Sequence, residues 1–139
     1  MKCETHITAR YAETDQMGII HHSVYPVWFE AARTDLIKYA GITYTQFEQQ
    51  GLMLPLAELT CKYYRPVRYE DEVIIESDLI RLHHAKLVFR YRVMLNGELM
   101  AEGTTTHGVV SRETFRPVSL KKVMPDFYAA LQEAVADNL

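Results

Sequence analysis

The stretch Tyr11-Ala-Glu-Thr-Asp-Gln-Met-Gly-Ile-Ile-His-His-Ser-Val-Tyr25 sets one acid, one glycine and one histidine immediately before a long amphipathic helix. Val24, Val27, Trp28, Ala31, Ala32, Leu36, Tyr39 and Ala40 recur at helical spacing, which predicts a helix over residues 24–40 with one continuous apolar face. Phe29 and Ile37 add apolar surface off that face, so the helix is expected to be covered on more than one side and to be central to the domain. Ser23 is the candidate N-cap, Pro26 fits the first turn, where no intrahelical donor is lost, and Gly41 fits the stop.

Working outward, residues 5–11 read as a first strand, separated from the helix by the polar, glycine-containing loop 13–22. A shorter helical segment over residues 44–50 ends at Gly51, and beyond it the period changes to strand alternation. Strands are predicted at residues 56–64, 72–82, 86–95 and 98–110, with Asn96-Gly97 as a hairpin turn between the last two. In the third of these, Leu87, Phe89, Tyr91, Val93 and Leu95 alternate with Val88, Arg90, Arg92 and Met94, which places one apolar face on a core and turns both arginines away from it. A last helix is predicted over residues 120–136, after Pro117 and Ser119, with Val123, Phe127, Ala130, Leu131 and Ala134 at helical spacing. One strand, one long apolar helix and a series of antiparallel strands make an α+β pattern, which buries the helix by wrapping the sheet around it.

A chain of 139 residues with no break in composition, no repeat and no low-complexity segment is expected to form a single domain over residues 1–139. The formal net charge of -3, with scattered basic residues, gives no reason to expect nucleic acid as a partner. No apolar run approaches membrane-spanning length, and Lys2, Glu4 and Arg10 are unlike a signal peptide, so no membrane span and a cytoplasmic location are expected. Cys3 and Cys61 have neither metal-like nor redox-motif spacing and read as free thiols; the six histidines show no ligand spacing, so no metal is expected.

Chemistry concentrates at the start of the first helix. The N–H groups of a first helical turn lack intrahelical acceptors and carry the positive end of the dipole, so they stabilise an oxygen that gains charge during a reaction. Asp15 would supply the base or nucleophile there; the alternative is that it only caps the turn before the helix. Gly18 suits a loop position with positive φ or close against a ligand. Glu13, two residues from Asp15, reads as a solvated loop acid, and Glu30 and Arg33, three apart on the helix, as an ion pair within the chain or across a subunit interface.

The run Thr14-Asp15-x-x-Gly18-Ile19-Ile20-x-His22-x-x-Tyr25, followed by Phe29-Glu30-Ala31-Ala32-Arg33, resembles the signature of the 4-hydroxybenzoyl-CoA thioesterase family, and within it the YbgC-like acyl-CoA thioesterases. Lys62-Tyr63-Tyr64-Arg65-Pro66-Val67 and Asp71-Glu72-Val73 also fall where that family has strands, so the likeness covers most of the chain. It implies a hotdog fold, a homodimer or homotetramer with sites at the subunit interface, and hydrolysis of an acyl-CoA to a carboxylic acid and coenzyme A with no cofactor. The implied catalytic set is Asp15 with His22, which would position water, bond Asp15 or hold the thioester, and whose backbone N–H is a candidate carbonyl donor. Tyr25 would reach the same site through its hydroxyl or pack at the interface, while His21, whose side chain cannot share one centre with that of His22, is left out. Gly18 joins the implied substrate site, and Lys62 and Arg65, with Arg68, Arg90 and Arg92, are cationic candidates for the coenzyme A phosphates. The family uses no Ser-His-Asp triad, and the chain has no G-x-S-x-G elbow. His21 stands where the family often has an aromatic residue. The competing reading is a non-catalytic acyl-thioester-binding or scaffold protein of the same fold; a hydratase would need its acid and histidine placed differently.

Overall fold

The computed structural model describes residues 2–135. In chain order these form β1 (Lys2–Thr8), the long helix α1 (Tyr25–Tyr39), α2 (Tyr44–Gln49), the short β2 (Leu52–Met53), β3 (Leu56–Tyr63), β4 (Glu72–His83), β5 (Lys86–Leu95), β6 (Glu98–Gly108), β7 (Val110–Ser111), α3 (Leu120–Val123) and α4 (Pro125–Ala134). Five strands pair antiparallel in the order β1-β4-β5-β6-β3, and β2 pairs with β7 apart from them. This sheet, with α1 laid on its apolar face, is the hotdog arrangement. Period-two alternation decides which face is apolar: Leu87, Phe89, Tyr91 and Val93 of β5 are buried, and the facing β6 positions His107, Thr105, Gly103 and Ala101 are buried with them. Arg90 projects from the other face and pairs with Asp78 of β4 at 2.7 Å.

The helix meets this face through residues spaced three and four apart: Tyr25, Trp28, Phe29, Ala32, Leu36 and Ile37. Phe29 stacks on Tyr91 with ring centroids 4.4 Å apart and planes 5° from parallel. Gly103 lies beside this contact, and a Cβ on it would stand 2.2 Å from the Thr60 carbonyl oxygen and 2.8 Å from the Phe29 ring, so only glycine admits the approach. Two polar ties fix the rotation of α1: Thr5 Oγ1 donates to Asp35 at 2.7 Å, and Arg33 donates to the Tyr91 hydroxyl at 3.2 Å.

Several sequence expectations need correction. The apolar face of α1 is rotated from the predicted one: Phe29 and Ile37 are buried, while Val27, Ala31 and Tyr39 are exposed. Arg33 turns inward to Tyr91, so it does not form the predicted pair with Glu30. The first strand ends at Thr8, and Tyr11 begins a 3-10 turn over Tyr11–Glu13. The predicted strand 98–110 breaks after Gly108, where the Gly108 N–H donates to Pro55 and the Val109 N–H to Ala85, and the chain leaves the main sheet to pair with β2. The last helix is split at Met124, which has φ -135° and ψ 69°: Pro125 offers no N–H and disfavours a helical residue before it. Residue 136, its predicted end, lies outside the described residues. The Asn96-Gly97 hairpin is formed as read, with Leu95 opposite Glu98.

His107 carries a pH dependence. Its Nδ1 lies 3.0 Å from the Leu54 carbonyl, which can only accept, so Nδ1 bears the proton, and the buried Nε2 has no partner among the described residues. Burial pushes its pKa down to about 4, against the opposing pull of the Leu54 carbonyl and with a small further push from Arg33. The folded chain therefore prefers neutral His107, while the unfolded chain takes up the proton near the ordinary value of 6.5. This contribution is complete above pH 6.5 and is lost as the pH falls towards 4. His107→Gln, whose amide can still donate to Leu54, is expected to show a smaller drop in melting temperature over that window than the wild type in parallel thermal scans.

Candidate active site

The loop before α1 is a short ladder. The Asp15 N–H donates to the Ile19 carbonyl at 2.9 Å, Thr14 bridges Ile20, the His21 N–H donates to the Glu13 carbonyl at 2.9 Å, and the Ile20 N–H reaches Val67 at 2.8 Å. Gly18 closes the tip, donating to the Asp15 carbonyl at 3.0 Å with φ +79°; a Cβ there would meet nothing within 4 Å. Conformation, not crowding, calls for glycine at this turn. Asp15 Oδ1 accepts from the Met17 N–H at 2.8 Å, and no other hydrogen bond of the carboxylate is found among the described residues, so Oδ2 is not engaged.

Between loop and helix lies a 3-10 turn, His22–Val24. Here His21, and not Ser23, is the cap: its Nδ1 accepts from the Ser23 N–H at 3.1 Å and pairs with the Ser23 hydroxyl at 2.8 Å, because Ser23 lies inside the turn it was expected to open. His21 Nδ1 is thereby engaged, and its ring stacks on that of His22 at 4.2 Å without lining the cavity beside Asp15. Tyr63 at the end of β3 donates its hydroxyl to the His22 carbonyl at 2.9 Å, which ties the edge strand to the start of the helix.

A cavity of about 340 Å³ opens at this junction, lined by Asp15, Met17, Ile19, Ile20, His22, Tyr25, Tyr63, Tyr64, Arg65 and Pro66. Of the residues singled out in the sequence, Asp15, His22, Tyr25 and Arg65 come together in it. Gly18 shapes the loop without lining the wall, and Lys62 lies in a separate groove with Thr60, Arg90, Glu102 and Thr104. Arg65 is bonded to Glu98 at 3.1 Å. Tyr25 is buried, and desolvation pushes its phenol up to about 12, so it stays protonated as part of an aromatic wall, edge-on to Tyr63 at 5.0 Å. Burial and the neighbouring Cys61 thiol push Tyr63 upward as well.

Sequence reading missed the wall residues Met17, Ile19, Tyr63, Tyr64 and Pro66, which carry no chemistry of their own and are gathered from two separate segments. It also misread Glu13, which is only 8% exposed. Its Oε1 accepts from the Arg10 N–H at 2.8 Å and its Oε2 from the Trp28 indole at 3.2 Å, contacts that repay its burial. The nearest available signal was an unpaired indole N–H on the buried face of α1, which needs an acceptor. Among the described residues no group of three His, Cys, Asp or Glu side chains is placed to hold a metal ion, and no helix is long and apolar enough to cross a membrane.

A long helix on an antiparallel sheet, with a carboxylate loop at its N-terminus opening on an apolar cavity, is a thioesterase design. The family model of the thioesterase-like superfamily matches residues 9–134, and the chain belongs to that family of thioester hydrolases. It is 36% identical over 129 residues, 92% of this chain and 94% of the relative, to YneP of Bacillus subtilis (strain 168), provisionally named an acyl-CoA thioesterase. It is 26% identical over 113 residues, 81% of this chain and 83% of the relative, to the acyl-CoA thioesterase YbgC of Haemophilus influenzae. Among solved structures, the DHNA-CoA thioesterase from Staphylococcus aureus superposes with a TM-score of 0.92 at 34% identity, covering 95% of this chain and 89% of that one.

Gly18→Ala is expected to cost about 1–2 kcal/mol, the strain of a left-handed backbone for an L-residue with no clash added. Chemical denaturation of the two proteins measures it.

Proposed function

We propose that the chain hydrolyses an acyl-CoA thioester to the free carboxylic acid and coenzyme A. The observation that carries the reading is the placement of Asp15 and His22 on one apolar cavity at the N-terminal end of α1. Asp15 Oδ2 takes the proton of a water that attacks the acyl carbon, or attacks that carbon itself to form an anhydride that water then opens; in either route the C–S bond breaks and coenzyme A leaves as the thiolate, which takes up the proton released by the water. The His22 N–H and the positive end of α1 polarise the carbonyl as its oxygen gains charge. Met17, Ile19, Tyr25, Tyr63, Tyr64 and Pro66 receive the apolar acyl part. Arg65 on the cavity wall, with the exposed Arg68, whose backbone bridges Ile19 of the same wall, is the proposed partner of the nucleotide phosphates. The named activities of the Bacillus, Haemophilus and Staphylococcus relatives support coenzyme A esters as the substrate class. No metal or other cofactor takes part, and the reaction is proposed to be cytoplasmic.

Asp15→Asn is expected to keep the fold and lose about 10²–10⁴ in turnover, read as free-thiol release from a panel of acyl-CoAs with chelator present throughout. A folded Asp15→Asn chain with full activity would defeat the mechanism. Saturable acyl-CoA binding without thiol release from any ester would instead favour the binding-protein reading.

The site is also proposed to be completed by a second copy in a homodimer, or a homotetramer built from such dimers. Strand β3 is one edge of the sheet, and its residues are exposed almost throughout, Leu56 and Leu59 included, so its outer side offers backbone donors and acceptors to a further strand. Its last residue, Tyr63, lines the Asp15 cavity, so whatever pairs with β3 also bounds the site. Light scattering at working concentration is expected to give the mass of two or four chains; an active monomer would remove this part of the proposal.

A further inference from the structure

A closed circuit of contacts runs beside the cavity, and Glu13 joins its two halves. Its backbone carbonyl holds the His21 N–H at the base of the Asp15 ladder, so Glu13 closes the loop on itself. Its side chain leaves that loop: Oε2 accepts from Trp28 Nε1 of α1 at 3.2 Å and lies 3.4 Å from the Arg10 guanidinium, and Oε1 accepts from the Arg10 N–H at 2.8 Å. From Trp28 the circuit continues through the Tyr25 ring at 5.2 Å and the Tyr63 ring at 5.0 Å. The Tyr63 hydroxyl then returns it to the His22 carbonyl, one residue from His21. Loop, helix and edge strand thus share one frame, and the Glu13 carboxylate is the link between loop and helix.

We propose that Glu13 is a positioning residue that sets Asp15 against the N-terminal end of α1, acting through Trp28; the proposal rests on the reading of Asp15 as the hydrolytic base or nucleophile. Every polar neighbour of the carboxylate is an N–H donor. An ionised carboxylate, with acceptors alone, satisfies all of them, whereas an amide of the same size must turn its NH₂ towards one of these donors. Among the described residues Asp15 itself bonds only to Ile19, Met17 and Gly18, all within its own turn, and the rest of the loop is tied through Glu13, the Ile20 N–H to Val67 and the buried Ile20 side chain. A displacement of about 1 Å between a catalytic group and the bound ester costs on the order of a hundredfold in rate, so a loop whose side-chain bond to α1 runs through the Glu13 carboxylate is sensitive to its loss.

The full-length wild type, Glu13→Gln, Trp28→Phe and the double variant are compared in acyl-CoA hydrolysis, thermal melting and, for the two chains that keep it, the emission of Trp28, which is the sole tryptophan. Each single variant is expected to lower kcat by about ten- to a hundredfold with KM changed less than about threefold, and the double variant to be no slower than the slower single one, since both remove one bond. Glu13→Gln should also shift the Trp28 emission with no substrate present. Full kcat in a folded Glu13→Gln chain, additive losses in the double variant, or unchanged emission would each overturn the proposal. Should Glu13→Gln fail to fold, Trp28→Phe, which keeps an aromatic ring and loses the N–H, decides on the same kcat and KM criteria. Absence of thiol release by the wild type would overturn the hydrolase reading itself, whereas an active wild type with unimpaired variants overturns only the role of Glu13.

Discussion

The stack of Phe29 on Tyr91, made close by the missing side chain of Gly103, determines where α1 lies on the sheet and so where its N-terminus opens. Burying a ring of this size contributes roughly 1.5–3 kcal/mol, and an aromatic pair adds about 0.5–1.5 kcal/mol beyond the area effect. Hydrophobic burial alone leaves a helix free to roll and slide. The Thr5–Asp35 and Arg33–Tyr91 hydrogen bonds remove that freedom, one to the edge strand β1 and one to the central strand β5. With the axis and rotation of α1 held, the 3-10 turn at its start, the Asp15 ladder and the end of β3 meet at one place.

That meeting point joins two kinds of structure. The sheet and helix are held by a dense apolar core, while the loop that carries Asp15 enters that core only through the buried Ile20 and is otherwise held by hydrogen bonds, from its own backbone, from Val67 and from Glu13. Such a loop keeps a carboxylate oxygen free of internal partners, as the proposed chemistry needs, because nothing packs over it. The cavity beside this loop is walled by Tyr25, Tyr63 and Tyr64, at the end of the exposed edge strand β3. The edge strand and the cavity share this border, which is where the proposed second copy would sit.

Much of this was legible in the sequence. A spacing of three and four was sufficient for α1, alternation for β5 and β6, and Asn96-Gly97 for their turn, because each depends on contacts or dihedrals within a few residues. The order of Asp15, Gly18 and His22 before that helix was sufficient to gather most of the site, since a helix start brings its own preceding loop with it. The errors lie where long-range packing overrides local pattern. Val27 and Tyr39 are as apolar as Phe29 and Ile37, and only the position of the sheet selects which of them is buried. Lys62 and Arg65 are three apart on one segment, yet the end of β3 falls between them and sends them to different grooves.

What the sequence by itself determined is the set of elements, their order, the α+β class and the glycine-containing loop that bears Asp15, all consequences of periodicity and of backbone preferences at Gly, Pro and Asn. Tertiary structure alone decided the rotation of α1, the aromatic walls contributed by β3 and the burial of Glu13. An acid two residues from Asp15 is indistinguishable in sequence from a solvated one; it becomes a structural brace only because the fold carries the indole of Trp28, fifteen residues away, to within 3.2 Å of it. A buried donor without an acceptor is costly, and which acceptor meets it is settled by geometry that no local pattern encodes.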